Sequence, residues 1–110
     1  MSTPERRRFV RQPYFCEARL EGLDVARVPC RLADISVGGV FVEARTLLPV
    51  GARTRLRFHL GNREVATTAE VRYTSPGIGM GLRFLDLQPA DRASILAFVI
   101  GQTVARPRVA

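Results

Sequence analysis

Two stretches of strict alternation around a glycine–asparagine pair constrain the fold of this chain more than any other feature. Residues 53–60 and 63–74 place small or apolar side chains at every second position, a period of two that is typical of strands with one wet face. Gly61 and Asn62 both tolerate positive φ, so the pair favours a two-residue hairpin turn. The positions predicted to face inward are Thr54, Leu56, Phe58, Leu60, Val65, Thr67, Ala69, Val71 and Tyr73.

Four further segments have strand character. Residues 14–21 and 25–35 alternate in polarity, residues 40–43 are a short apolar run, and residues 79–85 carry apolar side chains at every second position. Because Pro29 has no N–H to donate, we expect its strand to be an edge strand or to be bulged there. The positions of that strand predicted to share one side are Val28, Cys30, Leu32 and Asp34. Six strands at regular spacing predict an antiparallel barrel or sandwich.

The periodicity changes near the C terminus. Apolar residues recur at spacings of three and four over residues 89–101, which predicts a helix. A chain of 110 residues fits one domain. We expect a flexible basic arm over residues 1–13, an all-β barrel with one C-terminal α-helix over residues 14–101, and a tail over residues 102–110. The apolar stripe of the helix is predicted to join the core or to form a dimer seam, and it comprises Ile95, Leu96, Phe98 and Val99.

Every basic residue of this chain is an arginine. The 17 arginines outweigh 10 acidic residues, for a formal net charge of +7, and four of them cluster in the predicted arm at Arg6, Arg7, Arg8 and Arg11. The planar arginine fork suits phosphate and guanine ligands better than a lysine does. The cluster is therefore either an anion-binding arm or a solvated basic arm that aids solubility.

Several classes of protein are disfavoured by the same sequence. The longest apolar runs are too short to span a bilayer and the first residues contain no secretory core, so we expect a cytoplasmic protein without membrane insertion. Cys16 and Cys30 lack the spacing of a metal site and are predicted to be small buried apolar residues. His59 is the single histidine and is predicted to face outward, with no nucleophile motif beside it, so we expect no enzyme.

Two short motifs carry the chemical signal. Arg7 and Arg11 form an RxxxR spacing preceded by Arg6, and residues 34–39 read DISVGG, a DxSxxG pattern at the exit of a strand. Each motif alone is weak, because RxxxR arises by chance in an arginine-rich chain and DxSxxG is a common turn. In this order, within a small β protein, they resemble the PilZ family, and the resemblance extends over residues 5–100.

The resemblance implies a six-stranded antiparallel barrel with a flanking C-terminal helix that binds cyclic di-GMP. Arg7 and Arg11 would then contact guanine edges and phosphate, and Arg6 would favour a stacked ligand dimer. The physics agrees, because the guanine O6 and N7 acceptors can be bridged by one arginine fork.

The resemblance also assigns roles to the second motif. Asp34 would accept hydrogen bonds from guanine N1 and N2, and Ser36 would bond to base or phosphate. Gly39 would let the ligand approach the backbone closely, because a Cβ there would collide. Whether Tyr14 or Arg83 joins this site is left open by the sequence.

These roles predict that the protein is a receptor for cyclic di-GMP. We expect ligand charge to neutralise the arm and fold it over the barrel, so that the ordered arm binds an unidentified protein partner. The protein would be a monomer or weak dimer that uses no metal or other cofactor. The alternatives are a PilZ-like interaction module that binds no ligand and, less favoured, a basic nucleic-acid-binding barrel. Aromatic residues make up only 7% of the chain and most are predicted to face inward, which argues against specific nucleic-acid binding.

Overall fold

Six antiparallel strands close into one barrel, and a single helix follows them. The computed structural model describes residues 11–21 and 28–104, without the side chains of residues 28, 29 and 102–104. Around the barrel the strand order is β1-β2-β3-β6-β5-β4, and β4 pairs back onto β1. The elements are β1 Gln12–Glu21, β2 Val28–Ile35, β3 Gly39–Glu43, β4 Arg53–Leu60, β5 Arg63–Ser75, β6 Gly79–Phe84 and α1 Pro89–Val104.

The predicted fold class, an all-β six-stranded antiparallel barrel with one C-terminal helix, is confirmed. The strand β4 has the predicted bounds, and the Gly61–Asn62 turn joins it to β5, with Gly61 at a φ of +63°. The strand β1 begins at Gln12, so the last two residues of the predicted arm belong to the barrel. Residues 1–10, which include Arg6 and Arg7, and the predicted tail after residue 104 lie outside the described residues.

The core fills the barrel and follows the predicted alternation over most of its length. In β4 and β5 the inward positions predicted from residue 54 to residue 71 are all buried, and two threonines are among them. The largest fully buried side chains are Leu20, Leu32, Ile35, Leu56, Met80 and Ile95.

Two of the register shifts in the barrel overturn predicted faces. Between β2 and β3 the register passes from Leu32–Val42 to Asp34–Phe41, which leaves one extra residue in β2. Asp34 therefore leaves the inward face, and Ile35 is fully buried instead. An equivalent shift on β5 turns Tyr73 outward, where half of its surface is exposed. Both predictions were wrong because a bulge inverts the period-two pattern of every residue after it.

Pro29 lies on a strand of a closed barrel, but it is not paired on both sides. Its partner in β1 is Arg19, whereas the pairing of β2 with β3 begins only at Arg31. The residue without an N–H thus falls where β2 has one neighbour, which is locally the condition of an edge.

The helix α1 contacts the barrel through its first turn and through residues near its middle. Asp91 is buried and accepts a hydrogen bond of 2.7 Å from Arg63 Nε at the start of β5. Phe98 packs edge-on against Tyr14, with ring centroids 5.0 Å apart. Of the predicted apolar stripe, Ile95 and Val99 join the core, whereas Leu96 is exposed. Among the described residues, no helix has both the length and the apolar character needed to cross a membrane.

Candidate functional site

Arg11, the last residue of the first motif, meets the second motif at one end of the barrel. In the antiparallel pair of β1 and β2, Gln12 lies opposite Ile35 and Pro13 lies opposite Asp34. The start of β1 is therefore adjacent to the end of β2, and Arg11 precedes β1 directly. The point where the N-terminal segment joins the barrel lies beside the turn that leads from β2 to β3.

Arg11 and Asp34 are in direct contact. The Nε and Nη2 atoms of Arg11 lie 2.9 Å and 2.8 Å from the same oxygen, Oδ1 of Asp34. The side chains are 40% and 34% exposed, so solvent and solutes reach both. Within the described residues Oδ2 of Asp34 has no hydrogen-bond donor, and it is left as an acceptor beside a guanidinium. The arrangement offers a donor fork and a carboxylate oxygen to one planar ligand.

Ser36 is fully buried and holds the turn together. Its Oγ accepts hydrogen bonds from the backbone N–H groups of Gly38, at 3.1 Å, and Gly39, at 3.2 Å. The same hydroxyl lies 3.3 Å from the carbonyl oxygen of Gly39, to which it can donate. The turn is tied to β6 as well, because Phe84 donates its N–H to the carbonyl of Gly38. The predicted contact of Ser36 with a ligand stays a prediction, and in this conformation the hydroxyl is committed to the turn.

Gly39 is required by the barrel itself. A Cβ built on Gly39 would lie 2.0 Å from the carbonyl oxygen of Leu82 on β6. Within the described ranges, positive φ angles occur at other glycines, namely Gly51, Gly61 and Gly77. The residue therefore permits the close approach of β3 to β6, and a close approach of ligand at Gly39 remains a prediction.

An aromatic pair, Phe41 and Tyr73, follows Asp34 across the outer face of the sheet, and sequence reasoning missed it. Phe41 is the cross-strand neighbour of Asp34 and stacks on Tyr73, with ring centroids 6.1 Å apart. On the other side, Phe15 is exposed and lies 5.0 Å from the guanidinium carbon of Arg31. Four of the seven described aromatics lie in or against the core, as predicted for most of them, whereas the bulge in β5 turns Tyr73 outward against the prediction. The signal that could have found the Phe41–Tyr73 pair is a glycine on the strand between them.

That glycine is Gly81, and the ring of Tyr73 lies where its side chain would be. A Cβ on Gly81 would meet ring atoms of Tyr73 at 2.2 Å to 2.8 Å. Covering a strand glycine with a neighbouring aromatic ring is a known way of stabilising such a position. Tyr73 thus has a structural role in addition to its exposure.

Comparison with known proteins agrees with this geometry. Residues 5–101 match the PilZ domain family. The chain is a PilZ domain. The family consists of binding and regulatory modules, and the match indicates no catalytic family. A comparison with curated proteins finds no match.

Two solved structures share the PilZ fold with this chain. The Bacillus subtilis inhibitor of motility, MotI/DgrA, superimposes with a TM-score of 0.78 at 21% identity. The match covers 93% of this PilZ domain and 53% of MotI, so the chain spans about half of that protein. The PilZ domain of YcgR from Escherichia coli, described with c-di-GMP, superimposes with a TM-score of 0.66 at 23% identity. That match covers 86% of this chain and 89% of the other.

The other polar groups of this PilZ domain form no second centre of chemistry among the described residues. Burial raises the pKa of the Cys30 thiol to about 12, with a smaller contribution from nearby Cys16. Burial also raises the pKa of Cys16, against a backbone hydrogen bond at His59. Both thiols are unpaired by a disulfide and remain protonated near neutral pH, so neither is a reactive nucleophile. No group of three or more potential metal ligands occurs in the part of the chain that is described.

Proposed function

We propose that this PilZ domain is a receptor for cyclic di-GMP whose N-terminal arm becomes ordered when the ligand binds. The observation that carries the proposal is the contact between Arg11 and Asp34. Residues 23 positions apart in sequence supply, at the base of the arm, a donor fork and a carboxylate. The YcgR domain, which has the same fold, is described with this ligand.

Guanine has complementary edges for the two groups. Its O6 and N7 accept hydrogen bonds from a guanidinium, and its N1 and N2 donate to a carboxylate. The Oδ2 atom of Asp34 can accept from the base while Arg11 keeps its contact with Oδ1. Arg11 also has further N–H groups for phosphate or for the base edge. Arg6 and Arg7 are proposed to complete the site from the arm.

Ser36 and Gly39 act through the backbone in this proposal. The Ser36 hydroxyl fixes the turn that follows Asp34, and Gly39 lets that turn sit against β6. The direction of the Asp34 side chain therefore depends on both residues, and neither residue needs to contact the base. The arm would then bind over this turn and present a new surface to a protein partner.

Isothermal titration with cyclic di-GMP tests the site. We expect Arg11→Ala and Asp34→Ala each to weaken binding by about 1.5–3 kcal/mol, or roughly ten- to a hundredfold, because each removes a charge-assisted contact. Arg57→Ala is the control, since Arg57 pairs with Glu21 and Glu64 on β4's outer face. The affinity of the unaltered protein should also fall as salt rises.

The same titration separates the rival functions. A protein that gives no heat with cyclic di-GMP is a PilZ interaction module without this ligand. A protein that binds single-stranded DNA more tightly than cyclic di-GMP is a nucleic-acid binder, for which exposed Phe15 and Arg31 offer a stacking surface. Amide exchange in residues 1–10, measured with and without ligand, tests the ordering of the arm, and unchanged exchange contradicts it.

A further inference from the structure

A second concave surface adjoins the β2–β3 turn on the side away from Asp34. It lies where the turn, the end of β6 and the first turn of α1 come together. Its floor is apolar and its walls carry two arginines from different elements, Arg83 of β6 and Arg92 of α1. The residues that line this surface include Val37, Gly38, Arg83, Phe84, Leu87 and Arg92.

The carboxylates around this pocket are bound elsewhere, with one exception. Asp91 is held by Arg63, and Asp86 accepts hydrogen bonds from Thr67 and Thr68. Glu70 is the exception, because its Oε1 lies 3.7 Å from Nη2 of Arg83. Between the described residues, Arg92 forms no ion pair.

An apolar floor with two guanidinium groups fits an anionic ligand that has a flat or apolar body. The negative charge of a phosphate would be shared between two guanidinium forks that come from separate elements. Because an arginine at the surface is only partly desolvated, each one alone would bind an anion weakly. Binding is therefore strongest for an anion that both arginines contact, such as a phosphodiester. A nucleotide combines such a group with a base and a ribose that can cover the apolar floor.

The pocket lies within reach of the Arg11–Asp34 pair. Asp34 lies opposite Phe41 on β3, and Gly39, two residues before Phe41, lies opposite Arg83 on β6. The two places are separated by two inter-strand steps, or about 10 Å. The Ser36–Gly38 turn lies between them and contributes Val37 and Gly38 to the pocket wall. A ligand made of two nucleotides can therefore contact both places across one turn.

We propose that Arg83 and Arg92 form a phosphate-binding half-site for the part of cyclic di-GMP that Arg11 and Asp34 do not hold. The inference rests on the proposed function and extends it to β6 and α1. It makes α1 a direct ligand contact, so that binding is sensed by the helix as well as by the arm.

Titration of single variants with cyclic di-GMP tests the half-site, and the chain offers a matched control. Arg72 and Arg83 have side chains 53% and 54% exposed, and both lie near Oε1 of Glu70, at 3.9 Å and 3.7 Å. Of the two, Arg83 lines the pocket. We expect Arg83→Ala and Arg92→Ala each to weaken binding about tenfold, while Arg72→Ala changes affinity less than about twofold.

The outcomes of these titrations separate a failure of the half-site from a failure of the proposed receptor function. If Arg11→Ala weakens binding and Arg83→Ala and Arg92→Ala behave like Arg72→Ala, the half-site is wrong and the receptor stands. If the unaltered protein does not bind cyclic di-GMP, both proposals fail. Circular dichroism melting of each variant checks that the fold is retained.

Hydrogen exchange at α1 gives a second readout that does not depend on substitution. Ligand contact at Arg92 should slow amide exchange in the first two turns of the helix, residues 92–96, when cyclic di-GMP is added. In Arg92→Ala this slowing should be lost while protection near Asp34 persists. Unchanged exchange in the helix of the unaltered protein, under conditions where binding is saturated, overturns the inference.

Discussion

The β4–β5 hairpin and the corner formed by β1, β2 and β3 are both made of antiparallel strands, but only the hairpin keeps a regular register. The hairpin pairs eight consecutive residues of each strand, from Arg53–Glu70 to Leu60–Arg63, without a register shift. The corner contains a shift in each of its two pairings. In the hairpin, period-two alternation decides which side chains face the core. In the corner, the bulges decide it, and they turn Asp34 outward.

Two arginines, Arg57 on the hairpin and Arg11 at the corner, differ in how closely they bind a carboxylate. The hairpin also has one close pair, in which Arg63 holds Asp91 of α1. On the hairpin, Arg57 lies 3.5 Å from Glu64 and 3.6 Å from Glu21, in exposed pairs that contribute little to stability. At the corner, Arg11 places two nitrogen atoms within 2.9 Å of one Asp34 oxygen. Loose pairs on a regular ladder are typical of solvated sheet faces. The close pair at the corner, next to a bulge, is the pair that we propose contacts the ligand.

Two glycines give the largest expected contrast between the regions. We expect Gly39→Ala to destabilise the protein by about 3 kcal/mol, because its Cβ would meet the Leu82 carbonyl oxygen and push β3 from β6. Gly61→Ala in the hairpin should cost about 1 kcal/mol, since the site is open and only the positive φ is unfavourable. Urea denaturation of both variants measures the free energies of unfolding. Equal losses would show that the corner is no more tightly constrained than the hairpin turn.

The hydroxyl of Ser36 gives the next largest effect. Ser36→Ala leaves the N–H groups of Gly38 and Gly39 without their buried acceptor, and we expect a loss of about 2 kcal/mol in the free energy of unfolding. Thr54→Val is the hairpin control, because the buried Thr54 hydroxyl makes one long contact of 3.5 Å and its loss should be small. Urea denaturation compares the two. A Ser36→Ala protein as stable as the parent would contradict the role assigned to the turn.

Sequence patterns predicted most of the fold for a definite physical reason. Burial on one face imposes a period of two, so the bounds of β4 and the inward positions of the hairpin could be taken from the sequence. A bulge is one extra residue with no fixed sequence signature. The outward direction of Asp34 and Tyr73 could therefore not be predicted from the sequence. The same limit applies to Gly39, whose closeness to Leu82 is a property of two paired strands.

The candidate site was likewise predictable only in part. The resemblance to the PilZ family implied that Arg11 and Asp34 serve one site, and the pairing of Pro13 with Asp34 places them side by side. The pocket between Arg83 and Arg92 was not predictable, because its two arginines come from β6 and α1, which meet only in the folded domain. The position of a residue along a strand can be predicted from the sequence around it. The packing of α1 against the β2–β3 turn depends on the whole fold.

Tyr14 tests whether the two regions are energetically separable. Its hydroxyl donates to the carbonyl of His59 at 2.8 Å and accepts from the N–H of Gly61 at 3.1 Å, so it links β1 to the hairpin turn. We expect Tyr14→Phe to lower the free energy of unfolding by about 1 kcal/mol. Affinity for cyclic di-GMP should not change, because the link acts on the hairpin side of β1. A tenfold loss of affinity would show that the hairpin supports the corner.

Asp86 gives the smallest effect and joins the hairpin to the segment before α1. The N–H of Thr68 and the hydroxyl of Thr67 donate to its Oδ1 and hold the pKa of the carboxyl below its usual range. A carboxyl with a depressed folded-state pKa contributes stability that is present above its unfolded pKa, about 3.9, and is lost as pH falls through the folded value. We therefore expect Asp86→Asn to be slightly less stable than the parent at pH 7, and its free energy of unfolding to fall less steeply below pH 4, so that the two proteins converge in acid. Urea midpoints between pH 2.5 and pH 7 measure this. Parallel curves for the two proteins would mean that the exposed carboxyl is too well screened for its hydrogen bonds to β5 to matter.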